Sequence, residues 1–150
     1  MSIKNLLPGK IGLGGAPLGN MFRAIPEEEA HATVSEAWNL GVRYFDTAPL
    51  YSSGVLAGGE HFEYQKASAA IQQKVAQINT IATRFNVNVK AAALQFALAN
   101  PAVAAVIPGS SRPGRMAEDL AALNAPVPAE FWAEMRRQNL VAENAPLPTR

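Results

Sequence analysis

The apolar and polar positions of the chain follow a pattern that predicts strands separated by helices. The stretch "KIGLGGAPLGN" is a short apolar strand that breaks into a loop rich in Gly and Pro. The next stretch, "IPEEEAHATVSEAWNLG", has helical spacing, with Pro26 suited to its first position and Gly41 to its stop. "VRYFDTA" is then predicted as a second strand, and this order implies parallel pairing. The predicted apolar face of the helix comprises Ala30, Val34, Ala37 and either Trp38 or Gly41.

The second half of the chain predicts four helices and one strand. Lys66–Phe85 is amphipathic, whereas "VKAAALQFALAN" is apolar nearly all round and is therefore expected to be buried. "AVAAVIPG" has the continuous apolar character of a buried parallel strand. "GRMAEDLAALN" and "PAEFWAEMRRQ" predict two short helices, and "ENAPLPTR" predicts a loose tail. The apolar side of the predicted Lys66–Phe85 helix comprises Ile71, Val75, Ile78, Ile81 and Phe85.

Composition narrows the class of protein. A chain of 150 residues with 49% hydrophobic and 17% charged residues suits one soluble globular domain. A net charge of +1 gives no reason to expect a nucleic acid or membrane partner. The absence of cysteine excludes disulfides and thiolate metal sites. "MSIKNLLPGK" lacks the apolar core of a signal peptide, so we expect a cytoplasmic protein.

Common short motifs do not explain the chain. "GLGGAPLG" is close to a dinucleotide-binding fingerprint, but Pro17 stands where the motif needs its last Gly, and no helix is predicted to begin there. His31 and His61 are far apart and lack ligand spacing, and His31 is expected on the surface of its helix. No metal site is therefore predicted.

Four segments in order resemble the aldo-keto reductase superfamily, in particular its aldose and fucose dehydrogenase branch. They are "GLGGAPLGN", "GVRYFDTAPLY", "SSGVLAGG" and the long stretch "AAALQFALANPAVAAVIPGSSRPGRMAEDL". The resemblance implies an α/β fold, namely a partial, half TIM-type (β/α) barrel with parallel strands. Residues 1–51 resemble the first strand, first helix and second strand. Residues 52–150 resemble the part from the seventh strand onward, so we expect one shortened domain lacking strands three to six.

The resemblance also implies catalytic residues. The family uses a tetrad of Asp, Tyr, Lys and His, in which Tyr is the general acid and its neighbours lower its pKa. Asp46 matches the tetrad Asp and Tyr51 the tetrad Tyr. The family takes its Lys and His from the third and fourth strands, which this chain lacks. The remaining candidate lysines lie on predicted helices, so none inherits the role; they are Lys66, Lys74 and Lys90.

A cofactor site is implied by "GSSRPGRMAED". In the family, the loop and helix after the last strand bind the adenosine phosphate of NAD(P), as a helix N-terminus with a nearby Arg is suited to do. Ser110 and Arg115 match phosphate-contacting positions. Glu118 and Asp119 match the pair that usually faces adenine, although Asp119 replaces the usual Asn. Gly109 stands where many NADP-specific members have Lys, which weakens any preference for NADP.

The junction at "YFDTAPLYSSGVLAGG" raises a topological problem. Parallel neighbours need a crossover of about a dozen residues or more, and this junction has none. Tyr51 therefore has two possible origins, as the tetrad Tyr or as the start of the seventh-strand segment. Either the two segments form one extended arm, or the second half docks on another copy. Both arrangements leave open sheet edges, so we expect a homo-oligomer, most simply a dimer.

Two functions follow, and both stay open at this point. The first is an NAD(P)-linked oxidoreductase for a sugar or small carbonyl compound, with Tyr51 as acid/base and an incomplete tetrad. The second is an inactive half-barrel that dimerises and at most binds nucleotide weakly. The missing Lys and His favour the second, whereas the retained "GSSRPGR" favours cofactor binding.

Overall fold

The computed structural model describes residues 6–19, 23–46, 61–62 and 65–148, and gives no side-chain description at 61–62 and 65–66. The chain divides into two units. The first unit contains Met1–Tyr51 and Ala102–Ala121, and the second contains Ser52–Pro101 and Ala122–Arg150. Tyr51 and the predicted strand "SSGVLAGG" lie outside the described residues, as does Leu50 before them.

The first unit is built on parallel strand pairing. Strand β1 (Leu13–Gly14) pairs in parallel with β2 (Phe45–Asp46). On the other side of β1, parallel bridges join Ile11 to Val106 and Gly14 to Gly109, both in the predicted last strand. The predicted parallel β-α-β unit is therefore confirmed. The prediction of a buried strand at "AVAAVIPG", residues 102–109, is wrong: the segment forms only two bridges, and none of its residues is buried, because among the described residues it pairs on one side alone.

Helix α1 (Glu27–Asn39) connects β1 to β2. Pro26 lies at the N-cap rather than at the first helical position. Gly41 follows the helix with φ of +88°, a left-handed conformation that glycine adopts without steric cost, so it ends the helix as predicted. Between β1 and α1 a short 3-10 helix spans Ala16–Gly19, where no helix was predicted.

The apolar face predicted for α1 is partly wrong. Ala37 is fully buried, as expected, but its buried neighbour one turn earlier is Thr33. The Thr33 hydroxyl donates to the Glu29 carbonyl oxygen (2.8 Å), which satisfies its polar atom and allows burial. Trp38 is 54% exposed and instead stacks beside Phe45 with ring centroids 6.3 Å apart. The small side chains of α1 therefore form its buried face.

The second unit is mostly helical. It contains α2 (Ala69–Arg84), α3 (Val89–Ala99), the end of α4 (Arg115–Asn124) and α5 (Ala129–Arg137). Its backbone also forms an antiparallel pair, β3 (His61–Phe62) with β4 (Gln65–Lys66), which the expectation of parallel strands missed. Lys66 is thus in a strand, and α2 begins later than predicted because the Ser68 hydroxyl accepts the Ile71 N–H as an N-cap.

An aromatic cluster forms the core of the second unit. Phe131 of α5 is fully buried and packs edge-on against Trp132 at 4.9 Å between ring centroids. Phe85 meets Phe131 edge-on, and Phe96 stacks on Trp132. Such pairs stabilise by about 0.5–1.5 kcal/mol beyond their buried area. The predicted apolar side of α2 reaches this core through Ile81, Ile78 and Phe85.

Gln95 joins α3 to the end of α4. It is a buried polar residue in a helix expected to be apolar all round, and it is 8% exposed. Its Nε2 lies 2.7 Å from the Ala125 carbonyl oxygen, 3.2 Å from that of Leu123 and 3.3 Å from that of Ala122. The last carbonyl groups of a helix have no partner within the helix. Gln95 donates to such carbonyl oxygens from outside the helix, and these hydrogen bonds satisfy its own buried amide.

The C-terminal stretch is held in place, contrary to the prediction of a loose tail. Leu147 packs against the aromatic core, and Arg136 donates to the Ala145 carbonyl oxygen at 2.9 Å. Apolar contact and a charge-assisted hydrogen bond therefore tie residues 143–148 to α5. In the described ranges, no helix has both the length and the apolar character needed for a membrane crossing.

Glu134 of α5 is the centre of a charged cluster. It accepts hydrogen bonds from Arg137 (2.7 and 2.8 Å) and Gln138 (3.1 Å), and pairs with Arg84 of α2 (2.8 Å). Its side chain is only 11% exposed. These donors, Arg137 first and Arg84 second, hold the pKa of the Glu134 carboxyl well below its ordinary value. The cluster connects α5 to α2 by charge as well as by apolar packing.

We expect Glu134→Gln to lower the melting temperature at pH 7 by a few degrees. A carboxyl with a depressed folded pKa stabilises the fold fully above its unfolded pKa, about 4.3, and loses that contribution as pH falls towards the folded pKa. The difference between wild type and variant should therefore shrink between roughly pH 5 and pH 2. Thermal unfolding followed by circular dichroism across this range measures it.

The matched control is Glu130→Gln, which removes an exposed carboxylate from the same helix. If wild type and Glu134→Gln have the same melting temperature at pH 7, or if their difference does not change with pH, the paired Glu134 carboxylate does not stabilise the fold as proposed.

Candidate functional site

The carboxyl ends of the parallel segments meet at one edge of the first unit. The Gly15 N–H donates to the Asp46 carbonyl oxygen (2.6 Å). On the other side the Ser110 N–H donates to the Gly14 carbonyl oxygen (3.1 Å). Asp46 and Ser110 therefore flank the end of β1. In (β/α) barrels the active site lies at this end of the strands, which makes this edge the candidate site.

Two glycines allow the segments to approach closely at this edge. A Cβ on Gly14 would lie 3.1 Å from the Ile107 carbonyl oxygen and 3.2 Å from that of Pro108. A Cβ on Gly109 would lie 3.0 Å from Cγ of Pro17, in the 3-10 helix. Real Cβ contacts are seldom so tight, so larger side chains would push the segments apart. Gly109, predicted as a cofactor residue, thus also has a packing role.

Of the two predicted catalytic residues, the structure describes only Asp46. It is the last residue of β2 and is half-buried at the candidate edge. Tyr51 lies outside the described residues. The pairing of the two residues stays a prediction.

The predicted cofactor residues differ in their surroundings. Ser110 is fully buried, and its hydroxyl has no hydrogen-bond partner within the described part of the chain. Arg115 is the first residue of α4, with 34% of its side chain exposed. Glu118 is 44% exposed, whereas Asp119 is buried at 2%. Arg115 and Glu118 are therefore accessible to a ligand, and Ser110 and Asp119 are enclosed.

The start of α4 presents backbone N–H groups. Gly114, with φ of +83°, is the cap of this helix, since its carbonyl oxygen accepts the Glu118 N–H at 3.0 Å. The N–H groups of Met116 and Ala117 have no backbone acceptor among the described residues. Unpaired N–H groups at a helix start favour anions, because the helix dipole is positive there. The geometry is compatible with a phosphate.

Three arginines surround the segment from Ser111 to Gly114, and each is paired with a glutamate. Arg23 forms a two-pronged contact with Glu29, one arm at 3.0 Å, and also donates to the Ser111 carbonyl oxygen (2.9 Å). The hydrogen bond from Arg23 holds the pKa of the Glu29 carboxyl below its ordinary value. Glu118 pairs with Arg112 at 2.6 Å and with Arg115 at 3.8 Å.

A further glutamate reaches this segment from α1. The carboxylate of Glu36 accepts the Gly114 N–H through Oε2. Sequence reasoning missed Glu36 and also Arg23 and Glu29. No local signal identifies them, because Arg23 and Ser111 are 88 positions apart and Glu36 and Gly114 are 78 apart. Arg112 was visible in "SSRPGR" but was given no role.

The described residues include no group of three or more His, Cys, Asp or Glu side chains placed to hold a metal ion. His31 lies on the exposed side of α1, 3.7 Å from the Glu27 carboxylate, in agreement with its predicted surface position. Its contact is an ordinary pairing one helical turn apart.

Comparison with known proteins identifies the family. The Aldo/keto reductase family matches residues 10–59 and 52–139, two stretches that overlap at 52–59. The chain therefore belongs to the Aldo/keto reductase family. The overlap lies beside Tyr51, where the sequence predicted a junction between two strand ends. No solved structure gives a significant match.

Three curated relatives, each named as a dehydrogenase, are similar to parts of the chain. It is 49% identical over 45 residues to a D-threo-aldose 1-dehydrogenase of Pseudomonas sp, covering 30% of this chain and 14% of the relative. It is 31% identical over 99 residues to a pyridoxal 4-dehydrogenase of Microbacterium luteolum, covering 63% and 29%. It is 49% identical over 41 residues to an L-galactose dehydrogenase of Arabidopsis thaliana, covering 27% and 13%. The matches thus span less than a third of each relative.

Proposed function

We propose that the chain binds NAD(P) at the start of α4 and supports NAD(P)-linked oxidation or reduction of a sugar or small carbonyl compound. One observation carries the proposal. The parallel pairing of β1 with β2 and with the segment before Ser110 brings Asp46 and the start of the cofactor loop to one edge. The family and the relatives named as dehydrogenases support the reaction class.

The residues present fit a phosphate-bearing cofactor. Arg115 is partly exposed, and its contact with Glu118, at 3.8 Å, is longer than a hydrogen bond. Its guanidinium can therefore turn towards an anion at the helix start without loss of a short bond. Met116 and Ala117 offer backbone N–H groups at the same place. Together they form the combination of fixed donors and cation that phosphate binding uses.

Asp46 and Tyr51 are the proposed catalytic pair. When bound, the cofactor supplies or accepts the hydride. Tyr51 would give the substrate's carbonyl oxygen its proton. Asp46, at the end of β2, would take the place of the tetrad Asp, which in the family helps to lower the pKa of the Tyr phenol. A phenol with a pKa near 10 needs a neighbouring cation to transfer protons efficiently at neutral pH. Since no lysine of the chain matches the tetrad position, we expect slow turnover.

A catalytically inactive binding protein is the second candidate. It is favoured because no residue of this chain matches the tetrad Lys or the tetrad His. In this case the start of α4 binds nucleotide weakly and the chain serves as a dimerising half-barrel. Binding and turnover measurements on the same protein separate the two candidates.

We expect Arg115→Ala to weaken NAD(P)H binding by about 1.5–3 kcal/mol, the range for a charge-assisted hydrogen bond. Fluorescence titration with NADH and NADPH measures the dissociation constants. Lys74→Ala, which removes an exposed positive charge from α2, is the control and should leave them unchanged. A dissociation constant that is unchanged in Arg115→Ala, or an absence of binding at millimolar cofactor, would show that the cofactor site is not at Arg115.

Any turnover of an aldose or small aldehyde should depend on both proposed catalytic residues. Tyr51→Phe removes the proton donor and should abolish the reaction, whereas Asp46→Asn should reduce kcat. Neither variant should change the NAD(P)H dissociation constant, which controls for folding. Rates typical of ordinary enzymes in Tyr51→Phe would show that the chemistry lies elsewhere.

We also propose that the chain forms a homo-oligomer, most simply a dimer. Among the described residues, the parallel sheet of the first unit has no partner beyond β2 on one side and the segment at 106–109 on the other. Open edges pair with available strands. Sedimentation velocity should show a dimer at micromolar concentration, and a flexible insert after Leu50 should shift it towards monomer. A stable wild-type monomer would refute this expectation.

A further inference from the structure

The side chains around the loop before α4 have balanced charge. Arg23, Arg112 and Arg115 are the cations of this cluster. Glu29 is paired with Arg23, and Glu118 is paired with the other two arginines. Glu36 adds a third negative charge through its contact with Gly114. These six side chains therefore sum to zero, and the loop has no excess positive charge for an incoming phosphate.

The negative charge of Glu36 lies at the start of α4. Gly114 is the cap of α4, and its N–H is one of the donors at the positive end of the helix. In a capping box, a glutamate of the helix itself bonds to the N–H of the cap residue. Here the glutamate is Glu36 of α1, so the carboxylate that accepts this N–H comes from outside α4. It occupies a donor that an anionic ligand would otherwise use.

We propose that Glu36 is a built-in competitor for anions at the start of α4 and lowers the affinity for phosphate groups there. This inference rests on the proposed cofactor site and deepens it, because it names a residue that sets the cofactor preference. The Glu36 carboxylate repels a phosphate bound beside it, because both are negatively charged. The adenosine 2′-phosphate adds charge that NADH lacks, so Glu36 favours NAD over NADP.

Two substitutions distinguish charge competition from a role in holding the loop. Glu36→Gln keeps an oxygen that accepts the Gly114 N–H but removes the charge, whereas Glu36→Ala removes both. Charge competition predicts that NADPH binds roughly three- to tenfold more tightly to either variant, with a smaller gain for NADH. A purely structural role predicts that Glu36→Ala weakens binding and that Glu36→Gln leaves it unchanged.

The experiment combines fluorescence titration with NADH and NADPH and thermal unfolding in rising inorganic phosphate. The control is Glu28→Gln, which removes an exposed carboxylate from the first turn of the same helix and should change neither readout. Phosphate should raise the melting temperature of Glu36→Gln more than that of wild type, because phosphate bound to the folded variant no longer meets the opposing charge of residue 36.

The outcomes separate this inference from the proposed function. If wild type binds cofactor through Arg115 but Glu36→Gln binds it no more tightly, the role of Glu36 is wrong and the proposed function stands. Absence of nucleotide binding, with phosphate still stabilising Glu36→Gln more than wild type, overturns the proposed function and supports the role of Glu36. Identical phosphate responses together with no nucleotide binding by any variant overturn both.

Discussion

The close approach of backbone at Gly14 is the constraint on which the first unit depends. Gly14 pairs with Asp46 on one side and with Gly109 on the other, and its N–H donates to the Pro108 carbonyl oxygen at 2.8 Å. A side chain here would contact backbone atoms, which cannot move aside as the end of a flexible side chain can. Because the three segments are parallel, their carboxyl ends lie at the same edge. The position of Asp46 relative to Ser110 is a direct result.

The start of α4 combines attraction and repulsion for an anion. The N–H groups of Met116 and Ala117 and the side chain of Arg115 favour phosphate, and the carboxylates of Glu36 and Glu118 oppose it. Ion pairs at exposed positions contribute little stability, so the pairs around this loop are not a main source of folding energy. The proposed cofactor site lies here, and the role proposed for Glu36 concerns the affinity of this site for phosphate.

The second unit shows where polar residues decide a helical arrangement. Gln95 is specific because the carbonyl groups of Ala122, Leu123 and Ala125 must all lie within reach of one amide. Glu134 has a similar effect between α5 and α2, through Arg84. A buried amide and a nearly buried carboxylate thus add directional contacts to the apolar packing between these helices.

The sequence by itself determined the class of element, the family and the parallel β-α-β unit, because hydrophobic period, Pro and Gly punctuation and local motifs are properties of neighbouring residues. It also placed Asp46 at a strand end and Arg115 at a helix start. Only the tertiary structure decided that Thr33 rather than Val34 faces inward, that residues 143–148 pack on the core, and that Glu36 meets Gly114. These depend on contacts between distant parts of the chain. Burial is decided by the available space and by the hydrogen bonds that a polar group finds there, and neither is encoded in local spacing.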